Sequence, residues 1–266
     1  MTRRVVAVVL DGLRRDMLRA DNTPALASFA AAASSFAAHH SVFPSATRVV
    51  SACFATGCQP ARHGLLGNSV ALMEDGVLVR HDVGHPNFMD HLRAQRGHTL
   101  AVPTLAERLA GAGREAMVFC NVSPGAARAH DPDGHGWVLH RAWAQGPGLR
   151  RLEGAEAVAE ITLDAAGDAM LTEAFLARAL AGREAALAVL WLGEPDATQH
   201  AVPLGAPEAM AAIAAADARF AEIRAAVAAR REAGEDILLI ACSDHGHQTV
   251  QAVIDIEAEL IAAGLK

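Results

Sequence analysis

Tyrosine is absent from this 266-residue chain, and charged residues make up only 20% of it. With 52% of the residues hydrophobic and several Ala-rich tracts, that scarcity of charge excludes a disordered chain and leaves a packed globular protein, long enough to bury a sizeable core. A basic cluster is missing too. The formal net charge is −7 and Lys and Arg are scattered, so a nucleic-acid polymer is not the expected partner, whereas a small anion held through a bound cation stays open. The cysteines are few: Cys53, Cys58, Cys120 and Cys242 show no CxxC spacing and three sit in apolar surroundings, which points to reduced thiols and a cytoplasmic setting. Long apolar runs are lacking as well. The N-terminal stretch has six consecutive apolar residues before Asp11, too few for a signal-peptide core or a membrane span, so no membrane is expected as a partner.

What is present is a set of short, continuous apolar runs: VVAVVL at 5–10, AMVFC at 116–120, ALAVLWL at 186–192 and ILLIAC at 237–242. Runs of this length read as strands buried on both faces, as in a parallel sheet. Helical patterns alternate with them at 24–33, 103–112, 164–181, 207–231 and 253–263, the first with Thr23 as cap and Pro24 in first position. The alternation predicts one α/β domain over 1–266, doubly wound, with a mostly parallel sheet and helices on both faces. Between 121 and 150 the density of Pro, Gly and Asp predicts an irregular surface excursion. Residues 74–98 carry His81, His85, His91 and His98 and read as a polar loop, solvated or facing substrate, rather than as a metal site.

Three of the predicted strands run straight into acidic residues. Asp11-Gly12 follows the first, Glu194-Pro195-Asp196 the third and Ser243-Asp244-His245-Gly246 the fourth. In an open parallel sheet that edge is where ligands bind. A helix cap would explain Asp11 alone, but not three strand ends together. Asp196 and His200 are four apart, on one face of a helical turn, and Asp244-His245 places two ligand types side by side. Carboxylate with imidazole suits zinc, manganese or iron better than magnesium or calcium.

A metal-activated hydrolase working through a covalent intermediate needs a nucleophile on a strand-to-helix turn at the same edge. SVFPSATRVVSACFATG, at 41–57, offers Ser45, Thr47 and Ser51. The helical pattern after Ala46 makes Thr47 a first-turn residue, beside a helix N-terminus that favours anions, with a plain cap as the alternative.

Taken in order, these blocks resemble the alkaline phosphatase superfamily, most closely its nucleotide pyrophosphatase/phosphodiesterase branch. The resemblance rests on Asp11-Gly12, Phe43-Pro44-Ser45-Ala46-Thr47, Thr56-Gly57, Pro60, His63-Gly64, Asn68, Glu194-Pro195-Asp196 with His200, and Ser243-Asp244-His245-Gly246. It implies an alkaline phosphatase-like fold and two divalent metals, zinc by ligand type. In the family pattern Asp11, Thr47, Asp244 and His245 surround one metal, while Asp196 and His200 bind the other. Thr47 is the nucleophile, forming a phosphothreonine, and Asn68 donates to a phosphoryl oxygen. The implied substrate is a small molecule with a phosphodiester or pyrophosphate bond.

Two departures matter. Cys58-Gln-Pro-Ala-Arg62 matches the core by which sulfatases mark their modified cysteine, but Thr56-Gly57 lies upstream of Cys58 and Thr47 holds the nucleophile's place. The family also completes the Asp196/His200 site with a later histidine, and none follows His247. Either His247 or a loop histidine substitutes, or the chain lacks its C-terminal portion; the latter is the expectation, because the last helix would end the fold without closing strands. Arg48, where the phosphodiesterase branch often has a more hydrophobic residue, reads first as an outward-facing helix arginine, with a cation that favours a more highly charged substrate as the alternative. The alternatives are a phosphonoacetate-type phosphonate hydrolase and a non-catalytic metal-binding module.

Overall fold

The computed structural model describes residues 3–158, 161–183 and 185–266. Its strands are β1 (Arg4–Leu10), β2 (Ser69–Glu74), β3 (Val77–Asp82), β4 (Ala116–Cys120), β5 (Trp137–His140), β6 (Trp143–Gly146), β7 (Arg150–Arg151), β8 (Leu187–Leu192) and β9 (Ile237–Cys242). Seven form one sheet in the order β7-β6-β5-β4-β8-β1-β9, and β2 pairs with β3 in a separate hairpin. The four apolar runs are its strands β1, β4, β8 and β9; with β5 they are parallel, while β6 and β7 run antiparallel at one edge.

The continuous hydrophobicity of the central strands follows from burial on both faces. In β1, Val6, Val8 and Leu10 point into one core with Leu190, Phe119 and Phe175. Ala7 and Val9 point the opposite way, into a second core with Val118, Val189 and Trp191. The helices Pro24–Ala32, Ala165–Phe175 and Pro207–Glu232 cover the first face. Helices Thr47–Thr56 and Pro124–His130 cover the second, through Phe54, Ala126 and Ala127. This is the doubly wound α/β arrangement. β9 departs from the expected two-sided burial: Ile237 and Leu239 are buried, but Leu238 and Ile240 are 48% and 38% exposed. As an edge strand it has helices on one side only; the last helix, Ile256–Ala262, contains no buried residue.

Two loops expected from composition contain regular structure. The stretch 121–150 holds the helix Pro124–His130 and strands β5 and β6, each too short for its periodicity to register. In 74–98, the Asp75-Gly76 pair takes positive φ at both residues and closes the β2–β3 hairpin, and the helix Phe88–Arg96 follows. Leu72, Val83, Phe88, Met89 and Leu92 make a satellite core beneath them. The histidine-rich polarity masked that apolar spacing.

Register sets up the site. Leu10 pairs with Leu192, Val9 with Cys242 and Cys120 with Trp191, so the strand ends preceding Asp11, Asn121, Gly193 and Ser243 lie along one sheet edge. No helix among the described residues is long and apolar enough to cross a membrane.

Candidate active site

At that edge the sequence-predicted acids converge. His245 Nε2 lies 3.3 Å from Asp11 Oδ1, 3.4 Å from Asp244 Oδ2 and 3.8 Å from Asp196 Oδ1. The backbone brings them close because residue 12 is glycine. Gly12 has φ +70°, donates its N–H to Asp244 Oδ1 at 3.1 Å, and leaves a gap in which a Cβ would lie 2.9 Å from the His247 ring and 3.1 Å from Asp196 Cβ. Any side chain would fill that gap and strain the backbone. Trp191 Nε1 donates to Asp11 Oδ2 at 3.2 Å, which turns the other carboxylate oxygen toward the cluster.

Thr47 opens the helix Thr47–Thr56, whose cap residue Ala46 makes no side-chain capping bond. The Thr47 hydroxyl sits instead 3.1 Å from His245 Nε2 and 3.5 Å from Asp11 Oδ1. Of the other hydroxyls considered, Ser51 is fully buried and Ser45 is exposed. Cys58 lies beyond the far end of this ten-residue helix, ~15 Å along its axis from Thr47. Asn68 lines a cavity of about 280 Å³ together with Thr47, Asp11, Asp196, His200 and Arg48.

His200 stands at the margin, its Nε2 3.5 Å from Asp196 Oδ2 with 71% of its side chain exposed. His247 is nearer, 2.6 Å from Asp196 Oδ1, with its ring 4.9 Å from that of His200. It lies in the loop after β9, where two residues past Asp-His it gave little sequence signal of its own. Glu194 turns away from the cluster and accepts from the backbone N–H and the hydroxyl of Thr198, as a helix-start carboxylate does. Behind the site Asp168, 2% exposed, accepts from Asn121 Nδ2, Gly193 N and Glu194 N, each at 2.9 Å, and so pins the turn that presents Asp196. Asp168 sits inside a helix far along the chain, and nothing in its local pattern marks it.

The electrostatics favour a cation. Burial raises the Asp11 carboxyl well above its usual range; the hydrogen bond with His245 opposes this, and the charges of Asp244 and Asp196 add to it. Burial also works against a charged His245, but the bond to Asp11 and the charges of Asp244, Asp11 and Asp196 prevail and hold it at about 9. For Asp196 burial is outweighed by the His247 hydrogen bond and the charges of His200, His245 and His247, and its pKa is lowered. Asp244 Oδ2 is buried and makes no hydrogen bond, with His245 Nε2 facing it at 3.4 Å, a setting that a carboxylate oxygen tolerates only beside a cation. At this edge two sets of three ligand atoms fall within 4.8 Å of one another: Asp11, Asp244 and His245, and Asp196, His245 and His247. Their chemistry fits divalent transition metals.

The model of one family, type I phosphodiesterase / nucleotide pyrophosphatase, matches residues 5–264. Among solved structures, the chain is similar to murine ectonucleotide pyrophosphatase/phosphodiesterase 5, at 19% identity and a TM-score of 0.65, covering 96% of this chain and 61% of that one. An inactive variant of that mouse protein in complex with AMP aligns at 20% identity with a TM-score of 0.63. Phosphonoacetate hydrolase from Sinorhizobium meliloti 1021, in complex with phosphonoacetate, aligns at 20% identity and a TM-score of 0.68, covering 99% of this chain and 62% of that one. These likenesses are of fold, and the chain spans about three-fifths of the length of those proteins. No curated protein matches it.

Proposed function

Because the chain belongs to the type I phosphodiesterase / nucleotide pyrophosphatase family, we propose that it acts as a metal-dependent hydrolase of phosphodiester or pyrophosphate bonds in small molecules, with Thr47 as nucleophile. One observation carries this reading: the Thr47 hydroxyl leaves its helix uncapped and faces His245 Nε2 at 3.1 Å and Asp11 Oδ1 at 3.5 Å. Asp11, Asp244 and His245 would hold one divalent cation, with Thr47 beside it, and Asp196 with His200 and His247 the other. Zinc suits these ligands. When bound, such cations supply Lewis-acid polarisation of a phosphoryl oxygen and a lowered pKa for a neighbouring hydroxyl or water.

The protein's own groups do the rest. With its hydroxyl oriented by Asp11 Oδ1 at 3.5 Å, Thr47 gives its proton to solvent as Oγ1 bonds to phosphorus and the bond to the leaving oxygen breaks. Water then cleaves the phosphoryl–Thr47 ester and regenerates the hydroxyl. Asn68, on the cavity wall, donates to a phosphoryl oxygen, and the positive N-terminus of the helix Thr47–Thr56 adds to the attraction for the anion. His247 beside Asp196 supports a second ligand set supplied from within 1–266, the whole of which acts in this reading as one catalytic domain, and speaks against the non-catalytic module. Four free thiols support a cytoplasmic setting.

Arg48 and Arg141 also line the cavity, which favours a second reading, phosphonate hydrolysis of a substrate carrying another anionic group. Hydrolysis of bis(4-nitrophenyl) phosphate and of phosphonoacetate by zinc-loaded wild-type and Thr47→Ala protein tests both. The first reading expects diester cleavage that falls more than about 10³-fold on substitution. Cleavage of phosphonoacetate alone supports the second, and activity that survives Thr47→Ala overturns both.

A further inference from the structure

The β2–β3 hairpin touches the rest of the protein through few residues. On its inward face Val70, Leu72 and Glu74 of β2 lie opposite His81, Val79 and Val77 of β3. Directly opposed residues share a face, so Glu74 and His81 point the same way as buried Leu72. The helix Phe88–Arg96 packs against that face through Phe88 and Leu92, and His91, one turn from Phe88, arrives beside Glu74. His81 Nε2 lies 2.6 Å and His91 Nε2 2.7 Å from the same oxygen, Glu74 Oε1. The two rings lie with centroids 4.4 Å apart, tilted 32° to one another. None of the three residues lines the cavity at the sheet edge.

We propose that Glu74, His81 and His91 form a divalent transition-metal site of the zinc type, distinct from the active site, which clips the hairpin to the helix Phe88–Arg96. Two imidazole nitrogens and a carboxylate oxygen from three elements converge within ligand distance of one another. One imidazole would satisfy Glu74 as a hydrogen-bond donor; two aimed at one oxygen make a ligand set. The neighbouring charges do not compete for it. Arg93 is engaged by Asp90 and Asp133, and Arg80 reaches toward Ser69. Zinc bonds of about 2.0–2.1 Å put the ligand atoms ~3.3 Å apart, so loading spreads the set by several tenths of an ångström, which side chains a fifth to a third exposed can accommodate. Water completes the coordination.

The hairpin needs such a clip. A two-stranded sheet is marginally stable by itself, and here Met73, Val77 and Leu78 are each more than 60% exposed, leaving Leu72 as its buried anchor. The base of the hairpin is also where Asn68 sits, its carbonyl accepting from Val83 N at 3.0 Å. Steadying the strands therefore steadies a residue of the cavity wall.

Hydrogen exchange of the full chain, with and without Zn²⁺, tests the site, alongside calorimetric zinc titration of wild type, His91→Ala and His91→Gln. Zinc at ten times its dissociation constant is expected to slow amide exchange about tenfold over 69–82 and 88–96 in wild type. Either His91 variant loses that protection and binds one equivalent fewer. Zinc binding that leaves those segments unprotected in wild type overturns the proposal even if the variants fail to fold, and so does an unchanged zinc stoichiometry in folded variants.

Discussion

His140 offers a quantitative test of how the cavity wall is held. It closes β5, is 1% exposed, donates from Nε2 to the Val122 carbonyl at 2.9 Å and accepts the Ala142 N–H at Nδ1 at 3.1 Å. Both ring nitrogens are committed, so the neutral tautomer is the one that fits. Burial pushes the imidazole down to about 4; the Val122 bond works the other way and the Arg141 charge adds to the lowering. Because the folded pKa lies below the ordinary value near 6.5, the unfolded chain takes up the proton first as pH falls. The stability tied to neutral His140 is therefore present above about pH 6.5 and is lost as the pH drops toward 4. With those two values, linkage gives a loss of about 2 kcal/mol between pH 7.5 and pH 5. In His140→Gln the amide keeps a donor for Val122 and does not titrate. Urea unfolding of both proteins at the two pH values isolates the effect, since His130, also pushed down to about 4 by burial, and the site carboxylates are common to both. The stability advantage of wild type over the variant should shrink by about 2 kcal/mol at pH 5. An advantage that does not change with pH would mean that His140 is not held neutral by burial in the folded protein.

Gly12→Ala should cost about 1–3 kcal/mol through its left-handed backbone alone, and should also weaken zinc binding because the new methyl displaces His247 from Asp196; urea unfolding and zinc calorimetry read the two effects separately. Asp168→Ala strands three N–H donors and should destabilise by at least about 3 kcal/mol, with turnover lost as the Asp196 turn loosens; a change under about 1 kcal/mol would contradict its role. Asp244→Asn removes the negative charge at its buried position and should lower metal content by one equivalent, measured by mass spectrometry on chelator-free protein. A folded Asp244→Asn protein with full metal content would contradict the ligand assignment.

The central sheet was readable because β1, β4 and β8 are buried strands and β9 a half-buried one, all with apolar runs that end in sharp polar boundaries, and the helices between them carry proper starts such as Pro24. The convergence of Asp11, Asp196, Asp244 and His245 was readable for the same reason, since parallel strands in register bring their C-terminal ends to one edge, whereas Thr47 arrives at the start of a helix that no strand directly precedes. What stayed hidden depends on side-chain reach or on short elements. Asp168 acts across the chain on Gly193 and Glu194, and no spacing links the three. His247 could be weighed as a substitute ligand, but its 2.6 Å approach to Asp196 depends on the gap at Gly12. Glu74, His81 and His91 read as a polar loop because strands of only six residues carry a weak signal, although Asp75-Gly76 between them is a strong turn pair.

The most direct measurement is peptide mass mapping of zinc-loaded protein acid-quenched during turnover of bis(4-nitrophenyl) phosphate. The expected product is a nitrophenylphosphoryl group on Thr47, formed as nitrophenolate is released and absent from Thr47→Ala. Turnover that proceeds with Thr47 unmodified and continues in Thr47→Ala would contradict it.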